Sequence, residues 1–135
     1  MKSLILTFAI CLTAVINAQE APTPQIGVRV ALGETVEIGD VSVKFTEVLE
    51  DSRCPEGVTC VWAGRVRVLV DISEEGKATI QKEVIIGQTR ANESSEKKFF
   101  IREGNFIEAF AVTPYPRFDV KTEGYHLLIR EGVLD

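Results

Sequence analysis

The chain has 135 residues, 45% of them hydrophobic and 26% charged, a size and balance that suit one globular domain and leave little room for a second. Fifteen Lys and Arg stand against twenty Asp and Glu, a formal charge of −5 with the acidic residues scattered along the chain. No concentrated positive surface is available, which excludes nucleic acid as an expected partner.

Residues 1–18 read as a secretory signal peptide: Lys2 supplies the basic start, 4–16 form an apolar stretch, and Asn17-Ala18 precede an expected cut before Gln19. The stretch is too short for a membrane span, so none is expected after cleavage. Ile10, ahead of Cys11, is unlike the small residue of a lipoprotein signal. Removing 18 residues from 135 leaves 117, takes the charge to −6 with the loss of Lys2, and leaves Cys54 and Cys60 as the only cysteines. An exported chain with one such pair is expected to oxidise it to a disulfide, in a secreted or periplasmic protein. With a single histidine, His126, and no third cysteine, a zinc site lacks ligands; neither metal nor cofactor is expected.

Ala21-Pro22-Thr23-Pro24 belongs to a stiff, extended leader over 19–24, followed by one domain over 25–135. Apolar residues then recur with period two: Ile26, Val28, Val30 and Leu32; Val36 and Ile38; Val41, Val43 and Phe45. Gly33-Glu34 and Gly39-Asp40 mark turns between these strands. The alternation slips between Phe45 and Val48, which predicts a β-bulge at Thr46-Glu47 or the end of the strand. A further strand is expected to carry Trp62, Val66, Val68, Val70 and Ile72 on one face, with Arg65, Arg67 and Asp71 on the other. Strands over 78–86, 97–102, 106–113 and 125–130 complete the set. Their aromatic residues, Phe99, Phe100, Phe106, Phe110, Tyr115, Phe118 and Tyr125, are assigned mostly to the core. The expected fold is all-β, an Ig-like antiparallel β-sandwich of about eight strands with one loop disulfide; a small barrel is the alternative.

The most distinctive segment runs from Asp51-Ser52-Arg53-Cys54-Pro55 to Cys60-Val61-Trp62-Ala63-Gly64. A Cys54–Cys60 bridge closes a small ring, for which chain entropy gives roughly 2.4 kcal/mol. Trp62 is expected to pack over the bridge, and Ala63 and Gly64 to admit a neighbouring backbone. The segment resembles small exported bacterial β-rich proteins that carry Asp-Ser-Arg-Cys-Pro, four residues, then Cys-x-Trp-Ala-Gly. The likeness extends more loosely to Leu32-Gly33-Glu34-Thr35-Val36, to Val112-Thr113-Pro114-Tyr115-Pro116 and to the strand of Tyr125. It implies an exported, disulfide-bearing β-sandwich and brings no activity or catalytic residue with it.

Asp51, Arg53, Trp62, Arg65 and Tyr115 are the candidate binding residues, with Cys54 and Cys60 as structural determinants. Asp51, Ser52 and Arg53 suit recognition of a polar ligand or protein chain, or else close the strand end through an Asp51–Arg53 pair. Glu50, Asp51 and Glu56 offer oxygen donors for calcium, without EF-hand spacing. Arg53 beside a constrained ring also suits a protease inhibitor that fills an acidic pocket. If Tyr115 and Phe118 are exposed together, they make a better binding surface than any charge cluster. Ser52, His126 and Asp51 are the residue types of a catalytic triad, but no nucleophile-elbow motif accompanies them, and no catalytic residues are assigned. The sequence thus reads as an exported, monomeric, non-catalytic binding module of the cell envelope or extracellular space, its partner an unidentified protein or small ligand. A protease inhibitor and a calcium-binding sandwich are the alternatives.

Overall fold

Period-two runs become strands where one face can be covered, and in this protein two sheets cover each other. The computed structural model describes residues 26–135; the expected signal peptide (1–18) and leader (19–24) lie outside the described residues. Eight strands follow in order: β1 (Gly27–Ala31), β2 (Thr35–Ile38), β3 (Val41–Asp51), β4 (Arg65–Glu74), β5 (Ile80–Gly87), β6 (Lys98–Arg102), β7 (Asn105–Thr113) and β8 (His126–Val133). They form two four-stranded sheets, β1-β8-β7-β6 and β2-β3-β4-β5, and every pairing within them is antiparallel. The sheets do not close on one another, so the architecture is a β-sandwich and not the small barrel.

The core lies between the sheets. Val43 and Phe45 of β3, Val66, Val68 and Val70 of β4, Val30 of β1, and Leu127 and Ile129 of β8 are fully buried. Removing each such side chain from water contributes about 1.5–3 kcal/mol. The slip after Phe45 is a bulge: Phe45 pairs with Val70 and Glu47 with Leu69, leaving Thr46 without an opposite residue. The aromatic assignment holds for Phe99, which is buried, and for Phe100 and Tyr125, which pack against the core. It fails for Phe110, Tyr115 and Phe118, which are exposed. Ile26 and Leu32, expected to extend the first strand, are exposed on either side of a shorter β1.

The two ends of the sandwich differ. At one end β2–β3, β4–β5 and β6–β7 are joined by short turns. There Arg102 of β6 bridges to Asp40 (2.6 Å) and to Glu74 of the opposite sheet. The other end carries the connections 52–64, 88–97 and 114–125. Hairpins are ordinarily joined by about 2–5 residues, so the β3–β4 and β7–β8 connections are far longer than strand pairing requires.

Candidate functional site

The β3–β4 loop is built by three constraints. The Cys54–Cys60 disulfide is formed, with the Cα atoms 5.9 Å apart. The Cys54 N–H donates to Ala63 O (2.9 Å), which draws the two limbs together. Gly64 has φ +74°, and a Cβ there would stand 1.9 Å from Ser52 O, so the close backbone approach expected at this position requires glycine.

Beneath the loop Arg53 turns inward. Its Nε and Nη2 grip the two Asp51 carboxylate oxygens at 2.7 Å each, and these side chains are only 8% and 9% exposed. Nη1 donates to Val112 O (2.5 Å) and Nη2 to Pro114 O (3.1 Å), so one guanidinium joins the stapled loop to the other sheet. The Tyr115 ring lies over it at 4.9 Å. Tyr125 completes the group by donating its hydroxyl to Asp51 Oδ2 (2.9 Å). Burial raises the Asp51 carboxyl, but the hydrogen bonds from Arg53 and Tyr125 and the Arg53 charge together outweigh it and hold the group below its ordinary range. Burial, then the bond to Asp51, pushes the Tyr125 hydroxyl above its usual value.

This corrects the expectation that Arg53 offers itself to a partner or to a protease pocket: the side chain is buried and each of its three guanidinium nitrogens is hydrogen-bonded inside the fold. The local Asp51–Arg53 pair is present, and it supports the loop.

A second bond set joins this loop to the β7–β8 loop. Glu56 N–H donates to Pro116 O (2.9 Å), and Glu56 and Arg117 form a short parallel bridge. On these joined loops large apolar side chains face water: Val61 (90% exposed), Trp62 (73%), Tyr115 (44%), Phe118 (65%), and also Val58 and Val120. Six of the fourteen exposed large hydrophobic side chains among the described residues therefore sit on two connections at one end of the sandwich.

Trp62 is the largest departure from expectation. It neither lies on the apolar face of β4 nor is buried; it precedes that strand, which begins at Arg65. It borders an open groove of about 720 Å3 that is also lined by Glu50, Ser52, Gly64, Arg65 and the Gly87–Arg90 stretch. Arg65 is on the outer face of its sheet, as expected, yet it is buried there because Glu50 (3.1 Å) and Glu93 close over it. The hydrogen bond from Arg65 holds Glu50 below the usual carboxylate range; Glu93 is held down by the Arg90 backbone N–H and then by Arg65.

Other expected groupings are not assembled. Glu50 faces Arg65, Asp51 faces Arg53, and Glu56 lies beside Arg117, so the three carboxylates proposed for calcium serve different partners. Among the described residues no group of three or more His, Cys, Asp or Glu is gathered as a metal site. The Ser52 hydroxyl lies within hydrogen-bond reach of Glu50 (3.1 Å) and Arg65 O (3.2 Å), and His126 Nδ1 contacts Gly124 O (2.8 Å), so the residue types of a triad are not joined into one.

Sequence reasoning did not single out Gln88, Thr89, Arg90 or Glu93 as site residues. They lie in a polar stretch without apolar periodicity, and the Arg65–Gly87 register brings them beside Trp62. No protein-family model, curated protein or solved structure matches the chain. Among the described residues no helix is long and apolar enough to cross a membrane. The disulfide is compatible with an extracellular or periplasmic protein.

Proposed function

We propose that the protein is an exported, non-catalytic binding module of the cell envelope or extracellular space, and that it binds through the long-loop end of the sandwich. One observation carries this reading: large apolar side chains are held in water on two loops that the disulfide and the buried Arg53–Asp51–Tyr125 group make rigid. Exposure of these residues contributes nothing to folding, whereas rigid aromatic anchors lower the ordering entropy lost on binding. The signal-like segment 1–18 and the match of Asp51-Ser52-Arg53-Cys54-Pro55 and Cys60, Trp62, Ala63 and Gly64 to the exported group support the compartment.

The test is affinity capture from envelope and secreted fractions with the exported chain, beside a Trp62→Ser/Phe118→Ser variant and an Ile101→Ser control remote from the loops. A partner retained by the parent and the control but lost by the loop variant is the expected result. A partner indifferent to the loop variant, or none, would overturn the reading. Protease inhibition is a second reading, favoured by the exposed Val58 and by Val61 beside the disulfide ring. In that form the inserted side chain belongs to 58–61 rather than to Arg53, and stoichiometric inhibition of at least one protease in a serine and cysteine panel is its test.

A further inference from the structure

Trp62 is the only tryptophan of the chain, and it stands in water beside a polar groove. The groove volume of about 720 Å3 lies within the range of roughly 300–1,000 Å3 typical of small-ligand clefts. Of its charged side chains, Arg65 is held between Glu50 and Glu93 and Glu50 also meets Arg67 at 3.4 Å, while the exposed Arg90 makes no ion pair among the described residues. The Gln88 amide and Thr89 hydroxyl make no hydrogen bond among the described residues, and both are on exposed residues. The Ser52 hydroxyl lies between Glu50 and Arg65 O.

This composition discriminates between ligand classes. An apolar peptide would meet one aromatic surface among polar groups, leaving those groups without water or partners. An anion would meet an Arg65 already neutralised by two carboxylates and one exposed arginine, Arg90, with Glu50 and Glu93 close by, in a chain of net charge −5. A sugar ring has the complementary form, an apolar C–H face for the indole and a hydroxyl edge for amide and hydroxyl groups.

We propose that the groove beside Trp62 is a saccharide site, in which the indole stacks on the face of a neutral sugar ring while Gln88 and Thr89 hydrogen-bond its hydroxyls. The proposal rests on the binding-module reading and names the ligand class of one part of that surface. Because the groove is open and the contact shallow, binding is weak, with Kd on the order of 10 μM to 1 mM.

The sole tryptophan is its own reporter. The exported chain is titrated with cellohexaose, chitohexaose, laminarihexaose and xylohexaose, with inorganic phosphate as the anionic arm, while Trp62 emission and acrylamide quenching are followed. At least one neutral oligosaccharide is expected to shift the emission to the blue and protect the indole, with calorimetry confirming saturation. Trp62→Ala should weaken that binding at least tenfold and Trp62→Phe much less, and Gln88→Ala/Thr89→Ala should weaken it several-fold. Circular dichroism checks that each variant keeps the sheet. Failure of all four sugars to bind, a response to phosphate alone, or binding that survives Trp62→Ala overturns the assignment. If no sugar binds but a captured protein still depends on Trp62 or Phe118, the saccharide site falls while the binding-module reading stands.

Discussion

Arg53→Met isolates what holds the loop end together. The methionine keeps an unbranched stem in the same space and removes the guanidinium. Asp51 then retains the Tyr125 hydroxyl and a long 3.4 Å contact from the Arg53 N–H, while Val112 O and Pro114 O lose their donor. Stripping one partner from a buried pair costs about 3–5 kcal/mol, because the other charge stays behind without compensation. A domain of this size has on the order of 5–15 kcal/mol of total stability, so the loss takes about a fifth to a third of the margin at the upper bound and most or all of it at the lower. Asp51→Leu/Arg53→Met removes both charges and should recover most of the loss. Urea unfolding followed by far-ultraviolet circular dichroism is the assay, since an already exposed Trp62 makes fluorescence a poor reporter of unfolding. A loss below about 1 kcal/mol for the single variant would match a solvated surface pair and refute the buried clamp.

Four other outcomes follow from the same structure. Gly64→Ala forces a Cβ against the Ser52 backbone at positive φ and should cost about 3 kcal/mol or more, whereas Gly57→Ala, also at positive φ but with nothing within 4 Å, should cost about 1 kcal/mol; equal losses by thermal melting would remove the close-approach argument. Cys54→Ser/Cys60→Ser should lower stability by roughly 2.4 kcal/mol while keeping the sheet signal, and an unchanged urea midpoint would show the bridge to be dispensable. Native emission from Trp62 should lie near that of the unfolded chain and be readily quenched by acrylamide, and a blue, protected spectrum would contradict its placement. Because the folded Asp51 pKa is lowered, its stabilisation is complete above the unfolded value of about 3.9 and is lost as pH falls through the lower, folded one. Asp51→Asn should therefore flatten the acid limb of the stability profile, and identical slopes in parent and variant would place the acid sensitivity elsewhere.

Local periodicity was sufficient for the sheets. The alternation through Val41, Val43 and Phe45 and its slip at Thr46 are properties of adjacent residues, and they reappear as a strand and its bulge. Trp62 misled because its even spacing from Val66 imitates one strand face. The intervening Gly64, at positive φ, turns the chain before β4 begins, so the parity does not carry across it. The Asp51–Arg53 pair was legible for the same local reason. Its carbonyl partners were not, since Val112 and Pro114 are 59 and 61 residues away and backbone carbonyls leave no mark in composition. Arg65 was placed on the correct face, yet its burial depends on Glu93, which arrives 28 residues later from a connection with no periodicity. The groove was illegible for that reason as well.

The two arginine clamps show why the long-loop end is the one to test for binding. Arg102 ties the sheets at the short-turn end through an exposed Asp40 and a partly exposed Glu74, a surface pair set that water and salt screen. Arg53 does the corresponding work in a buried setting, beneath loops whose outer side chains remain in water. Burying that ion pair carries a desolvation penalty, and no such device is needed merely to connect β3 with β4, which a short turn would do. What the clamp secures is the fixed position of Tyr115 above the guanidinium and of the stapled loop that carries Val61 and Trp62. Rigidity in a segment that does not bury its own apolar groups lowers the entropy lost when something else buries them.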